Sequence, residues 1–127
     1  MNNLQNRNHT VAVLGASNKP QRYSNMAVHR LRQHNYHVIP VHSRLKEIDG
    51  LQVVNSLDDI QIKVHTLSIY IGPLTSAALA DSIVALRPRR VIFNPGSESL
   101  ELEKRLSENN IPFVKRCTLV MLKSGQF

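Results

Sequence analysis

Phosphate-binding chemistry is indicated by residues 15–24, which follow an apolar run and precede a helical stretch. The segment combines hydroxyl and amide side chains with Lys19 and Arg22. At the start of a helix, unpaired backbone N–H groups, the positive end of the helix dipole and nearby cations all favour an anion. With one glycine, the segment is neither a G-x-G-x-x-G dinucleotide turn nor a P-loop. We therefore predict a phosphate site here; a solvated basic loop is the alternative.

The kind of nucleotide is indicated by the residues after the second apolar run, His42-Ser43-Arg44-Leu45-Lys46. An NAD site has an Asp or Glu here to hold the ribose hydroxyls. In this chain the first carboxylate is Glu47, and it comes after the two cations. NAD is therefore disfavoured. A ribose that carries a further phosphate fits better, which leaves NADP and the 3′-phosphoadenosine end of coenzyme A (CoA) open.

The charge distribution favours one local anionic partner. The formal net charge is +7, and residues 1–46 hold seven cationic side chains and no carboxylate. Residues 47–127 hold nine of each sign, so the whole excess lies in the first third of the chain. A nucleic-acid binder is an alternative, but three Tyr, three Phe and no Trp make a poor platform for stacked bases.

Strands that alternate with helices must position these residues. The predicted strands are residues 10–14, 37–41, 66–71, 90–93 and 112–115. The predicted helices are residues 24–35, 73–87 and 98–109, with Ser24 as the N-cap of the first and a capped turn at residues 56–60. This alternation predicts one α/β domain, residues 10–127, with a parallel sheet that follows a polar tail over residues 1–9.

In an open parallel sheet, ligands bind beyond the carboxyl ends of the strands. The turns at that edge are residues 15–24, 42–46, 72–73, 94–96 and 116–118. Three of the five glycines of the chain, Gly15, Gly72 and Gly96, fall in these turns. Glycine there permits a positive φ and a close approach of the backbone to a ligand, although turns also use glycine simply to turn.

The motifs together resemble those of the small single-domain CoA-binding proteins. The matching segments are Val11-Ala12-Val13-Leu14-Gly15-Ala16-Ser17, the spacing Ser17-x-x-Pro20-x-Arg22-x-Ser24, Val38-Ile39-Pro40-Val41, Glu47-Ile48-x-Gly50, Ser56-Leu57-Asp58-Asp59-Ile60, Asn94-Pro95-Gly96 and Cys117-Thr118-Leu119-Val120-Met121. These proteins are similar to the N-terminal CoA-binding domain of the succinyl-CoA synthetase alpha subunit. One departure is His42-Ser43, where the family often has Asn-Pro.

The resemblance implies a five-stranded Rossmann-like sheet in the order 3-2-1-4-5, with helices on both faces, that binds CoA or an acyl-CoA. It implies that the first turn meets the diphosphate, residues 42–46 meet the adenosine and its 3′-phosphate, and residues 71–73 and 94–96 border the pantetheine arm. The candidate binding residues are Gly15, Ala16, Ser17, Asn18, Lys19, Arg22, Tyr23, Ser24, His42, Arg44, Lys46, Ile71, Gly72, Pro73, Asn94, Pro95, Gly96 and Cys117.

The expected function is binding without catalysis. The resemblance does not extend to the synthetase domain that carries the phosphorylated histidine, and no Gly-x-Ser-x-Gly elbow occurs. Cys117 lies at the ligand edge, either as a reactive thiol or as packing. His34-x-x-His37 lacks further ligands, so no metal is expected. An NADP-dependent small reductase, a nucleic-acid-binding domain and a partner-interaction domain are the alternatives.

The location and assembly of the protein are also predicted. No apolar run reaches membrane-spanning length and residues 1–9 lack the apolar core of a secretory signal, so we expect neither a membrane span nor secretion. A single cysteine favours a reducing compartment, and hence the cytoplasm. A homodimer is left open.

Overall fold

The structure is a computed structural model that describes residues 8–127. Most of the predicted polar tail, residues 1–7, lies outside the described residues. Of the tail's last two residues, Asn8 is exposed and His9 is half-buried.

Runs of β-branched and other apolar residues form the strands. The strands in chain order are β1 (Thr10–Leu14), β2 (His37–Val41), β3 (Glu47–Ile48), β4 (Leu51–Gln52), β5 (Thr66–Ile69), β6 (Arg90–Phe93) and β7 (Phe113–Lys115). The predicted strands agree with β1, β2, β5, β6 and β7, except that β5 ends two residues earlier and β7 begins one residue later. The short antiparallel hairpin of β3 and β4 was not predicted.

The five longer strands form one sheet in the order β2-β1-β5-β6-β7, and every pair in it is parallel. Beyond β2, Val54 forms an isolated parallel bridge with Val41. If the bridge at Val54 is counted as the third strand in chain order, the strands across the sheet are Val54, β2, β1, β5 and β6. Numbered in chain order, this is 3-2-1-4-5, and β7 follows as a sixth strand. The predicted Rossmann-like arrangement is therefore confirmed, and β5 takes the fourth position, beside β1.

Five helices of the described residues cover the sheet. They are α1 (Tyr23–Gln33), α2 (Pro73–Ala78), α3 (Ala80–Leu86), α4 (Leu100–Glu108) and α5 (Thr118–Lys123). The single helix predicted over residues 73–87 is wrong, because the backbone of Leu79 (φ −97°, ψ 9°) separates α2 from α3. The predicted turn at residues 56–60 is a 3₁₀ turn, and the Ser56 side chain caps it by accepting the Asp58 N–H. Helix α5 was not predicted.

The pleat of β1 divides the core into two layers. Val11 and Val13 face a cluster that includes Val28 and Leu31 of α1 and Leu122 of α5. Ala12 and Leu14 face the opposite cluster, which includes residues of α3 and α4. Each large apolar side chain buried in this way contributes about 1.5–3 kcal/mol. Because all strands of the sheet are parallel, their carboxyl ends lie at the same edge, which we call the carboxyl edge. The two core layers hold the sheet in this arrangement.

Candidate functional site

The turns that follow β2, β1 and β5 are neighbours at the carboxyl edge, because β1 lies between the other two strands. The connection from β1 to β2 runs through α1 on one face, and α2 and α3 follow β5 on the other face. The crevice between these connections is where open α/β sheets bind nucleotides.

Gly15 allows the first turn to pass close to the turn after β5. Its φ is +88°, and a Cβ at this position would lie 2.7 Å from Cγ2 of Ile71. The N–H groups of Gly15 and Ala16 both donate to the carbonyl oxygen of Val41, at 3.0 and 3.1 Å. The turn is therefore fixed between the ends of β2 and β5, and a larger residue at Gly15 would push it away.

The first turn leads into the unsatisfied N-terminus of α1. The N-cap is Arg22, and no side chain caps it. The prediction of Ser24 as N-cap is wrong: the N–H of Arg22 donates to the carbonyl of Lys19 at 3.0 Å, and this turn starts the helix at Tyr23. Ser24 is buried in the first helical turn. The N–H groups of Tyr23 and Ser24 donate to none of the described residues, so these two donors, together with the helix dipole, are available to an anion.

A cleft of about 660 Å³ opens at this helix N-terminus. We call it the phosphate cleft. Its walls contain every candidate residue of the first turn and also residues of the turns that follow β2, β5 and β6. The lining residues are Gly15, Ala16, Ser17, Asn18, Lys19, Arg22, Tyr23, Ser24, His42, Arg44, Leu45, Tyr70 and Pro95. Lys19, Arg22 and Arg44 thus face one cavity from two different turns, and no carboxylate lines it.

A second cleft of about 470 Å³ shares Gly15, His42 and Tyr70 with the first. We call it the apolar cleft, because aliphatic side chains form much of its wall. Its other lining residues are Leu14, Val41, Ser43, Asn55, Ser56, Leu57, Ile71, Thr75, Leu79 and Ser82. The two clefts together make one elongated depression across the ends of β1, β2 and β5.

His42 fixes the turn that carries Arg44. Its Nδ1 accepts the N–H groups of Arg44 at 3.0 Å and Leu45 at 3.1 Å, so Nδ1 is unprotonated in this arrangement and Nε2 carries the hydrogen. The side chain of Asn55 donates to the carbonyl of His42 at 2.8 Å. His42, which stands where the related family often has Asn, therefore organises this turn through its ring.

The remaining candidate residues do not line either cleft. Lys46 is exposed at the end of the turn of residues 42–46, which we call the basic segment and which leads into β3. Gly72 and Pro73 form the N-terminus of α2. Asn94, Gly96 and Cys117 lie further along the carboxyl edge, after β6 and β7. They continue the edge beyond Pro95, which does line the phosphate cleft.

Asn94 is tied into the protein by its own hydrogen bonds. It is 1% exposed, and its Nδ2 donates to Oγ of Ser68 and to the carbonyl of Ile69, both at 2.9 Å. Its Oδ1 accepts the Thr118 N–H at 2.8 Å. Because both ends of the amide are occupied, this side chain joins β5, β6 and α5 and has no group left for a ligand in this arrangement.

Tyr70 lies between the two clefts with its hydroxyl turned inward. Burial raises the pKa of Tyr70 to about 12, against the opposite effect of the neighbouring Thr118 and Ser68 hydroxyls. The hydroxyl is nonetheless buried without a hydrogen bond of ordinary geometry. It is protonated at neutral pH and cannot act as a base. Sequence reasoning missed Tyr70 because it placed this residue inside the predicted strand 66–71, whereas β5 ends at Ile69 and Tyr70 begins the turn.

Two further residues missed by sequence reasoning support the first turn. Asn25 of α1 is 2% exposed, and its Nδ2 donates to the Ser17 carbonyl and to Oδ2 of Asp49, both at 2.8 Å. A polar side chain on the otherwise apolar face of a predicted helix was the available signal for Asn25. Nothing local in the sequence indicates its partner, 24 residues away.

The described part of the chain contains neither a cluster of metal-ligating side chains nor a helix that could span a membrane. Within residues 8–127, no three His, Cys, Asp or Glu side chains form a group that could hold a metal ion. None of the helices there has the length and apolar character that crossing a bilayer requires.

Comparisons with known proteins concern the family and the fold of the chain. The family model described as a CoA binding domain matches residues 9–123. Among curated proteins, the uncharacterized protein YneT of Bacillus subtilis is 30% identical over 64 residues, which are 50% of this chain and 47% of that protein. The matched segment thus spans about half the length of that relative.

Solved structures extend the likeness to the whole fold. An uncharacterized protein is 41% identical, with a TM-score of 0.87 over 94% of this chain and 98% of its own. A Thermus thermophilus protein is 32% identical, with a TM-score of 0.86 over 100% of both chains. Acetyl-coenzyme A synthetase 1 of Ca. Korarchaeum cryptofilum, in complex with phosphate and ADP, is 18% identical, with a TM-score of 0.73 over 88% of this chain and 26% of its own. At that identity the likeness concerns the fold alone.

Proposed function

This chain belongs to the CoA-binding domain family, and on that premise we propose that it binds CoA or an acyl-CoA across the two clefts of its carboxyl edge. The observation that carries the proposal is the convergence of Lys19, Arg22 and Arg44 on one cavity at the uncapped N-terminus of α1. Three cations and the two free N–H groups at the start of α1 match a ligand with several phosphate charges.

The diphosphate belongs, in this proposal, in the phosphate cleft. The N–H groups of Asn18, Tyr23 and Ser24 donate no hydrogen bonds to the described residues, and these residues border the cavity. Lys19 and Arg22 add charge-assisted hydrogen bonds to the same oxygens. The 3′-phosphate then meets Arg44 and Lys46, whose segment the His42 ring holds in place.

The apolar parts of the ligand are assigned by the lining of the clefts. The adenine ring fits the apolar cleft, where aliphatic walls lie beside His42, Ser43 and Asn55, which offer polar groups. The pantetheine arm leaves the phosphate cleft past Pro95, toward Asn94, Gly96 and Cys117. This assignment moves Ile71 from the pantetheine arm to the adenine, because it lines the apolar cleft.

Binding without chemistry is the role that fits these side chains best. The phosphate cleft contains no carboxylate, and its Tyr70 hydroxyl is buried and protonated. The described residues that line this cleft include hydroxyl groups and His42 but no carboxylate that would complete a nucleophile, base and acid set. A carrier or sensor of CoA species is therefore proposed, and a cytoplasmic location and a homodimer stay predictions.

Calorimetric titration with CoA, 3′-dephospho-CoA and NADP tests this function. We expect a micromolar or tighter complex with CoA that weakens as salt is raised, because exposed charge pairs are screened. Loss of the 3′-phosphate should weaken binding about tenfold or more, since a hydrogen bond to a charged group contributes about 1.5–3 kcal/mol. Binding of NADP without binding of CoA would contradict the proposal.

A further inference from the structure

Asn25 and Asp49 connect the two segments to which the proposal assigns the phosphates. Asn25 lies on α1 with both amide hydrogens in use, one to the Ser17 carbonyl of the first turn and one to Oδ2 of Asp49. Asp49 is in the turn between β3 and β4, and β3 separates it from the basic segment of residues 42–46. One buried amide therefore joins the first turn to the hairpin that follows the second turn.

Helix α1 holds Asp49 with a stripe of three side chains. Besides Asn25, His29 places Nε2 at 2.9 Å from Oδ2 of Asp49, and Arg32 donates from Nη1 to the Asp49 carbonyl at 2.8 Å. Asn25, His29 and Arg32 are spaced i, i+4 and i+7, so they lie on one face of the helix. Asp49 has a φ of +51°, a left-handed conformation that Asp and Asn tolerate better than most residues.

The position of the hairpin sets the path of the basic segment. The Val53 N–H donates to the Lys46 carbonyl at 2.9 Å. Asn55, just after the hairpin, donates from Nδ2 to the carbonyls of His42 at 2.8 Å and Leu45 at 2.9 Å. A shift of the hairpin relative to α1 would therefore carry Arg44 and Lys46 with it.

The same amide sets the direction of a peptide in the first turn. In a planar trans peptide the carbonyl and the next N–H point in opposite directions. The Ser17 carbonyl points to Asn25, so the Asn18 N–H points away from α1's buried face, and it donates to none of the described residues. Asn18 lines the phosphate cleft, and its N–H is one of the donors assigned to the diphosphate.

We propose that Asn25 and Asp49 are positioning residues that fix the spacing between the diphosphate site and the 3′-phosphate site. This inference rests on the proposed function. Neither side chain lines a cleft, so both act through the segments that they hold. Charge alone predicts the opposite effect for Asp49, because removing a carboxylate near a polyanionic ligand strengthens binding. The sign of the change in affinity therefore separates positioning from electrostatics.

The test compares CoA and 3′-dephospho-CoA affinities of Asn25→Ala and Asp49→Gly with those of the wild type. Gly suits the φ of residue 49, so Asp49→Gly removes the carboxylate without backbone strain. Both variants should bind CoA about tenfold more weakly and lose most of the preference for CoA over 3′-dephospho-CoA. Titrations are run well below the melting temperature of each variant, with circular dichroism confirming the fold.

Two controls isolate the contact. Asp49→Asn keeps an oxygen that accepts the Asn25 amide, and it should restore most of the affinity that Asp49→Gly loses. Glu47→Gln removes an equal charge from an exposed residue of the same hairpin, outside the described ion pairs, and should leave binding unchanged or stronger.

Unchanged CoA affinity and unchanged preference in both folded variants would overturn the inference. Equal weakening by Glu47→Gln would do the same, and a role in stability alone would lower the melting temperature without changing the preference. Failure of the wild type to bind CoA would be a different result, since it would overturn the proposed function and this inference with it.

Discussion

Arg22 combines two tasks at one position, because its backbone starts a helix and its side chain lines the phosphate cleft. Its carbonyl accepts the N–H groups of Asn25 and Met26, both at 3.1 Å. Arg22 is exposed, so its guanidinium can contact a ligand without breaking interactions in the protein interior. Arg30, at the other end of α1, is also exposed but borders a separate groove between α1 and α5.

Replacing Arg22 with Ala should therefore weaken CoA binding by about 1.5–3 kcal/mol, which is the range for losing a hydrogen bond to a charged group. The salt dependence of binding should also become shallower, because one charged contact is gone. Calorimetry at two salt concentrations measures both effects. Arg30→Ala is the matched control, and an equal loss in that variant would show that net charge, rather than the position of Arg22, matters.

At the residue scale, sequence reasoning found the cations and missed their supports. Lys19 and Arg22 were predicted because they follow a strand within one short segment and stand next to a helix start. The contact between Asn25 and Asp49 could not be predicted from the sequence, because it depends on how the hairpin of the short strands β3 and β4 packs against α1. Local spacing therefore identified which cations line the phosphate cleft, whereas the packing that positions them depends on tertiary structure.

At the element scale, the Asn94 amide joins parts that are far apart in sequence. Through Ser68 and Ile69 it holds β5, and through the Thr118 N–H it holds the first turn of α5. Ser68 also shares a 2.8 Å hydrogen bond with the Thr118 hydroxyl. These polar groups are buried on the face of the sheet that α5 covers, so each requires its partner.

Asn94→Ala should destabilise the protein by about 2–4 kcal/mol, because it removes several buried hydrogen bonds and leaves their partners unsatisfied. Chemical denaturation followed by circular dichroism measures this loss. Ser97→Ala, which removes one buried hydrogen bond to the Asn94 carbonyl, should cost clearly less. Similar free energies of unfolding for Asn94→Ala and the wild type would contradict the structural role of Asn94.

The elements that the sequence predicts well are those with their own apolar signal. Strands β1, β2 and β6 were predicted to the residue, because each is a compact apolar or β-branched run. Helix α5 has only six residues, and its Val120 is exposed while Met121 and Leu122 are buried, which leaves too short a pattern to detect. The separation of α2 from α3 depends on a single bend at Leu79, which no Gly or Pro marks.

At the scale of the whole molecule, the two edges of the sheet differ in chemistry. The carboxyl edge carries the clefts. At the opposite edge, where the strands begin and which we call the amino edge, aromatic and imidazole rings pack together with the guanidinium of Arg90. His9 stacks near His65 with ring centroids 3.7 Å apart, and Arg90 lies 4.5 Å from the centre of the Phe127 ring. His9, His65 and Arg90 all contact Oγ1 of Thr66, at 3.0, 2.8 and 2.9 Å.

This amino-edge group should make the protein less stable in acid. Burial, with help from His65 and Arg90, lowers the pKa of His9 from 6.5 to about 4. Burial and the charges of Arg90 and Arg89 lower the pKa of His65. Between about pH 6.5 and pH 4 the unfolded chain binds more protons at His9 than the folded one, so the stability that neutral His9 contributes falls as the pH falls through this range, and this contribution levels off below it.

Melting temperatures at pH 7 and pH 5 test the effect, with His9→Gln as the variant. Glutamine can still reach Thr66 and does not titrate, so the variant should lose less stability between the two pH values than the wild type. In the control variant His37→Gln, which changes an exposed histidine, the melting temperature should fall between pH 7 and pH 5 by as much as in the wild type. A loss in His9→Gln as large as in the wild type would exclude His9 as the source.

The central claim is that CoA binds at the carboxyl edge of the sheet, and an NMR titration of the ¹⁵N-labelled chain tests it most directly. Addition of CoA should shift the backbone amide signals of residues 15–24 and 42–46, with smaller changes around Tyr70 and Pro95. The amides of the amino edge, such as those of His65 and Arg90, should stay in place. Shifts confined to the amino edge, or no shifts at saturating CoA, would contradict the account.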